Sequence, residues 1–335
     1  MKAIGYTASG PATVLTDIEL PTPAPGPHDL LVEVKAISVN PVDTKVRASM
    51  APEQGRTRVL GWDAAGVVRA VGGQVTLFAP GDEVFYAGSI ARAGANSELH
   101  IVDERIVGPK PASLDFAAAA ALPLTSITAW ELLFDRLGVE AGGGDGQTLL
   151  VVGAAGGVGS ILVQLAARLT KLRVVGTASR PETQAWVRDL GAHDVVDHSG
   201  DLAAALRSAG IDEVNYIASL TATTAHFPAL VEVLAPQGHI GVIDDPDTLD
   251  VTPLKPKSGA LHWEFMFTRA VFGTPDMIAQ HDLLKEVAGL VDSGIVRTTL
   301  GDTFGEISAS NLIRAHAFIE SGRARGKVVL AGWPA

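Results

Sequence analysis

The stretch TLLVVGAAGGVGSILVQLAARL (148–169) carries the reading of this chain. Its first part, TLLVVGA (148–154), has the length and composition of a buried strand. Glycines then follow at 153, 156, 157 and 159, and SILVQLAARL after them has the apolar spacing of an amphipathic helix. Glycines at 153 and 156 permit a tight turn. Gly157 leaves room for a pyrophosphate at the backbone, and Gly159 lets the helix pack close to the strand. The spacing is GxxGxxG rather than the commoner GxGxxG, but the physics carries over: exposed N–H groups and the helix dipole favour a diphosphate. The competing reading is a glycine-rich turn that merely joins two elements, and the residues downstream argue against it.

From there the pattern alternates. Strands are expected at RVVGTA (173–178), DVVDH (194–198), EVNYIAS (213–219) and HIGVID (239–244), with LHWEFMF (261–267) a further candidate. Helices are expected at 157–169, 182–191, 201–210 and 223–234. Strands separated by helices of about ten residues imply right-handed βαβ units and a parallel sheet. Upstream, Val-rich runs such as LLVEVKAISV (30–39) and AAGVVRAVG (64–72) alternate with Pro/Gly turns, and no long amphipathic helix is evident before about Asp115. The stretch 115–137 is helix-prone with Pro123 as an internal break. The chain ends in helix 276–293, a short β segment near 296–304, helix 308–321 and strand KVVLAG (327–332). The fold class is therefore α/β: a β-rich lobe formed by the start and the ending, flanking a doubly wound parallel-sheet domain.

The strand ending at 178 decides which dinucleotide fits. An NAD site places Asp or Glu there to accept from the ribose 2′-OH; this chain has Thr177-Ala178-Ser179-Arg180. Ser179 can donate a hydrogen bond to a 2′-phosphate and Arg180 a charge-assisted one, with His198 as a third donor. The expected cofactor is NADPH.

At 335 residues the chain has room for two domains, and its net charge of −11 argues against nucleic acid or an anionic membrane as partner. It has no cysteine, which excludes disulfides, thiolate-bound metals and a cysteine nucleophile. MKAIGYTASG lacks the pattern of a signal peptide, and the apolar stretch 148–167 is broken by glycines, so a cytoplasmic protein without a membrane span is expected. Nine histidines are scattered with no i,i+4 pair, so no metal site is expected. None of the three tyrosines has Lys four positions on, and G-x-S-x-G is absent, which removes the short-chain reductase and serine hydrolase readings. The remaining polar candidates are Asn40 and Asp43 in SVNPVDTKVR, Asp63 in LGWDAAG, and Thr125 with Ser126. Each is equally suited to capping a turn.

VNPVD (39–43), LGWDAAGVV (60–68), APGDEV (79–84), LPLTSITAWELL (122–133), VVGAAGGVGS (151–160) and TASRPET (177–183) together resemble the medium-chain dehydrogenase/reductase superfamily. The likeness is to its zinc-lacking quinone oxidoreductase branch, often labelled zinc-type alcohol dehydrogenase-like. The resemblance implies a GroES-like catalytic domain (1–121 and 270–335) around an inserted Rossmann domain (122–269). It implies that Gly153, Ala155, Gly156, Gly157 and Val158 wrap the pyrophosphate, and that Ser179, Arg180 and His198 surround the 2′-phosphate. Ile243, Asp244, Phe267 and Thr268 would border the nicotinamide, Lys327 would reach the cofactor, and Asn40, Asp43 and Thr125 would face the nicotinamide as the catalytic set. Zinc relatives carry Gly-His-Glu where this chain has Gly61-Trp62-Asp63, and a Cys ligand just after the place of Asn40, so zinc catalysis is not expected. Without a Lewis acid, hydride acceptors that spread the incoming charge themselves are favoured: quinones, enones and other activated alkenes. The rival readings are a non-catalytic, crystallin-like NADPH-binding protein and a zinc-dependent alcohol dehydrogenase. The resemblance also implies a homodimer joined through Rossmann sheet edges.

Overall fold

Strands separated by helices cannot pair as hairpins, and the chain resolves this by parallel pairing through its middle third. The computed structural model describes residues 1–334. Its contacts divide the chain into two units, Met1–Ile127 with Phe267–Ala335, and Thr128–Met266. The expected boundaries after 121 and before 270 lie a few residues from these, the first within the run of helices that starts at Phe116.

The middle unit is a six-stranded sheet in the order Asp194–Val196, Arg173–Thr177, Thr148–Val152, Val214–Ser219, Leu234–Val242, Ala260–Trp263, with every pairing parallel. Numbered along the chain that is 3-2-1-4-5-6, the Rossmann order. Helices Gly157–Leu169, Pro181–Asp189, Leu202–Ser208 and Thr223–Val233 form its crossovers. One core binds Leu150, Val152 and Val175 of the strands to Leu206 and Leu230 of the helices, all fully buried. Strand order reverses between Thr148–Val152 and Val214–Ser219, so the glycine turn leaves the sheet at the switch point where such folds bind ligands.

The flanking unit is a GroES-like sheet domain. Its large sheet runs Leu300–Thr303, Lys327–Ala331, Asp29–Val39, Ala64–Val71, Glu83–Tyr86, Val107–Pro109, with Leu99–Asp103 also pairing to Asp29–Val39. Three shorter strands, Thr16–Glu19, Lys2–Tyr6 and Arg58–Val59, form a second sheet. The last strand lies antiparallel to Asp29–Val39 with Val328 opposite Val39. That register delivers Lys327 to Asn40 across nearly the whole chain length.

Two helical features go beyond the sequence reading, while the break expected at Pro123 is present between Ala120 and Pro123. Pro41–Ser49 is a helix, opened by Pro41 at its first position and by Asn40 and Asp43 in a capping box. The 115–137 region is three pieces: Phe116–Ala120, Pro123–Trp130 and a π-helical turn Glu131–Arg136. By length and apolarity Phe116–Arg136 would pass for a membrane span, yet 78% of its most apolar window is buried inside the protein. It is a core element.

Candidate functional site

Gly153 follows strand Thr148–Val152 at φ +81°, a conformation costly for any residue with a Cβ. Its N–H donates to Thr177 Oγ1 at 3.0 Å, so the neighbouring strand pins the turn. The chain folds back with Gly156 N–H on Gly153 O at 3.1 Å, and Gly156 then caps helix Gly157–Leu169 with no side chain over the helix end. A Cβ on Gly159 would lie 2.5 Å from Gly153 O, so only glycine lets the helix start this close to the turn. A Cβ on Gly156 would meet nothing nearer than 3.5 Å, so its outer side is open. Ala155, Gly156, Gly157 and Val158 are half-buried. The first N–H groups of a helix have no partner within it. The corner thus offers an unobstructed, electropositive cradle that fits a diphosphate.

Beyond strand Arg173–Thr177, Ser179 is exposed and Arg180 half-exposed. Arg180 holds the start of helix Pro181–Asp189 through Thr183, whose hydroxyl donates to Arg180 O at 2.9 Å. Its guanidinium Nε lies 3.2 Å from Glu182 Oε1, so a carboxylate of the same helix already sits beside it. His198 is half-buried against His226 edge to face, centroids 5.8 Å apart, and its Nδ1 is sealed without a hydrogen-bond partner among the described residues. Burial first, then His226, lowers its pKa and keeps the ring neutral. Ile243 is half-buried at the end of its strand. Asp244 is committed: it accepts from Thr223 N at 2.9 Å and from the Thr223 hydroxyl, capping helix Thr223–Val233.

In the GroES-like unit the catalytic candidates come together, but as a closed cluster. Asn40 Nδ2 donates to Asp63 Oδ2 at 2.8 Å and to Trp62 O at 3.3 Å, while Lys327 donates to its Oδ1. Both N–H bonds of the Asn40 amide are therefore in use. Lys327 Nζ also donates to Asp63 Oδ2 at 2.9 Å and to Val39 O at 3.3 Å. Asp63 Oδ1 accepts from Leu124 N at 2.7 Å and caps helix Pro123–Trp130 from outside. Asp43 accepts from Asn40 N at 2.8 Å and Gly61 N at 3.1 Å, and burial pushes it up to about 7. The Thr125 hydroxyl donates to Leu122 O at 3.2 Å, and Ser126 is fully buried. Asn40, Asp43, Asp63, Thr125 and Lys327 are all at most 2% exposed. The expectations that Lys327 reaches a cofactor and that Asn40 belongs to the catalytic set meet groups whose donors are already spent. Phe267 is buried edge-on to Trp62, centroids 6.0 Å apart, and Thr268 is half-buried.

Family comparison agrees with both units. Residues 26–112 match the model for the alcohol dehydrogenase GroES-like domain, and residues 190–330 that for zinc-binding dehydrogenase. A zinc-type alcohol dehydrogenase-like protein of Staphylococcus epidermidis is 38% identical over 98% of this chain and 99% of its own. The chain belongs to the medium-chain dehydrogenase/reductase superfamily. It is an oxidoreductase of that family. Among solved structures, one from Rhizobium etli, provisionally described as a zinc-dependent alcohol dehydrogenase, is 56% identical with TM-score 0.96, covering 100% of this chain and 99% of that one. The Escherichia coli quinone oxidoreductase complexed with NADPH is 25% identical with TM-score 0.85, covering 99% of this chain and 100% of that one.

As a superfamily member this chain departs from the zinc pattern in its residues. Trp62 fills the expected ligand position, with its indole N–H on Ser89 O at 3.3 Å, and there is no cysteine in the chain. Among the described residues no group of three or more His, Cys, Asp or Glu could hold a metal. The ion pair of Asp63 with Lys327 was invisible in the sequence, because its partners are 264 residues apart and meet only through strand register.

Proposed function

We propose that this oxidoreductase takes its hydride from NADPH and delivers it, without zinc, to a quinone or an activated alkene such as an enone. The carrying observation is the glycine corner followed by Ser179 and Arg180, with no carboxylate at the end of strand Arg173–Thr177. The 2′-phosphate would meet the Ser179 hydroxyl and the Arg180 guanidinium, while a carboxylate there would repel it. Bound NADPH supplies the hydride. The chain's share is to hold the diphosphate on backbone N–H groups, to orient the nicotinamide beside Ile243, and to exclude water. Asn40, Asp43, Asp63 and Lys327 then act by holding shape, and the proton that completes reduction of an enolate comes from solvent. Zinc independence is supported by Trp62 and the lack of cysteine. Acceptors that delocalise charge need no Lewis acid.

The same reading makes the protein cytoplasmic and a homodimer. A second copy would pair along the outer edge of strand Ala260–Trp263, where Trp263 and Phe265 are exposed. The test is NADPH oxidation, with EDTA present, over a panel of quinones, enones and 2-substituted acrylates. Turnover with at least one acceptor is expected, and none with simple alcohols. NADPH binding without oxidation by any acceptor would instead support a non-catalytic binding protein.

A further inference from the structure

Two buried carboxyl groups in the Rossmann-type unit have no part in the function above. Glu131 opens the π turn Glu131–Arg136, and Glu264 is the first residue after strand Ala260–Trp263. Both side chains are 0% exposed. The turn closes with Leu137 N–H on Leu132 O at 2.9 Å, five residues back. In an α-helix residues five apart diverge by about 140°; the wider π turn brings them onto one face. Arg136 accordingly reaches both carboxyls, its Nε 2.8 Å from Glu264 Oε2 and its Nη2 3.6 Å from Glu131 Oε2. Leu132 presses on the sheet so closely that a Cβ on Gly241 would meet Leu132 Cδ1 at 2.3 Å. Glu264 N–H donates to Val242 O at 3.0 Å. The carboxyl pair therefore sits at the carboxyl end of the last two strands, the side of a doubly wound sheet that takes ligands.

Two ionised carboxylates in contact offer acceptors only, and Glu264 Oε1 is sealed from solvent with no conventional donor among the described residues. One guanidinium, itself 30% exposed, cannot neutralise both. A single proton between them supplies the missing donor and leaves the trio neutral. Burial first, then the charge of Glu131, pushes Glu264 up to about 9. His262 faces Arg136 from strand Ala260–Trp263, with His239 2.9 Å behind it. Burial, His239 and Arg136 lower the pKa of His262, so it adds no compensating positive charge.

We infer that Glu131 and Glu264 hold one proton between them and, with Arg136, form a positioning clamp that fixes the strand ends Val242–Ile243 and Glu264–Met266 for the coenzyme. The positioning role rests on the coenzyme reading; the shared proton stands without it. The folded chain keeps this proton from the ordinary glutamate value of 4.5 up to about 9, where the unfolded chain has lost it. The clamp's stabilisation is therefore complete below the lower value and is lost as pH rises toward the upper one.

Glu264→Gln separates the possibilities, since its amide donates to Glu131 as the shared proton does but cannot ionise. NADPH affinity by fluorescence titration is expected to fall about tenfold from pH 7 to pH 10 in the unsubstituted protein and less than about twofold in E264Q, with E264A weak at both. Infrared difference spectra at pH 7, unsubstituted protein minus variant, should show a protonated carboxyl band for both E264Q and E131Q, with the contribution of Asp43 cancelling. Thermal stability should fall more steeply toward alkaline pH in the unsubstituted protein than in E264Q. Equal pH profiles for the two proteins would overturn the clamp, and absence of the band would overturn the shared proton. If no NADPH binds at any pH, the coenzyme reading and the positioning role fall together, and the infrared band still decides the proton.

Discussion

The cluster around Asp63 and the glycine corner at 153–159 are opposites in hydrogen-bonding terms. In the cluster, the Asn40 amide and the Lys327 ammonium are spent on one another, on Asp63 and on carbonyls, and each member is buried. In the corner there are almost no side chains, and the N–H groups that open the helix have no partner inside it. A buried polar side chain must be satisfied by the fold, and once satisfied it has little left for a ligand. Recognition capacity survives where donors belong to the backbone and glycine keeps side chains away. The difference teaches that chemically suggestive residue types are a poorer guide to a binding site than unspent donors.

The sharpest way to break this contrast is Lys327→Met, which strands Asp63 as a buried charge. Denaturant unfolding should show a loss of about 3–5 kcal/mol, and Asp63→Asn added to it should recover part. If K327M instead kept full stability and lost only NADPH binding, the cluster would be a ligand site after all. Next is Arg180→Asp at the corner's specificity end. Losing a charge-assisted bond of about 1.5–3 kcal/mol should weaken NADPH by roughly tenfold to a hundredfold while leaving NADH little changed. Calorimetry showing equal losses for both coenzymes would remove Arg180 from the 2′-phosphate. Smallest is Gly156→Val, whose side chain would enter only the open side of the cradle. Its melting temperature should stay close to that of the unsubstituted protein, and its coenzyme affinity should drop about tenfold, or about 1.4 kcal/mol. An unchanged affinity would mean the diphosphate lies elsewhere.

Local patterns were legible from sequence because their cause is local. Helix Gly157–Leu169 and strands Thr148–Val152 and Arg173–Thr177 follow from apolar periodicity and from glycines whose steric effect acts within a few residues. Helix Pro41–Ser49 was harder, since it is short and its opening NPVD reads equally as a turn. The π turn leaves no compositional mark: what accompanies its extra residue per turn is the tertiary packing of Leu132 on Gly241. Asp244 illustrates the limit at the site itself. Its place after a strand pointed toward the nicotinamide, but its carboxylate caps Thr223 instead.

From its sequence alone this chain determined a parallel α/β domain, a glycine corner suited to a diphosphate and the lack of an acid in Thr177-Ala178-Ser179-Arg180, all being effects of neighbouring residues. Tertiary structure alone decided that Lys327 meets Asp63 and Asn40, and that Glu264 meets Glu131 and Arg136. Those partners are far apart in the chain, and only strand register and the packing of the π turn on the sheet bring them to hydrogen-bonding distance.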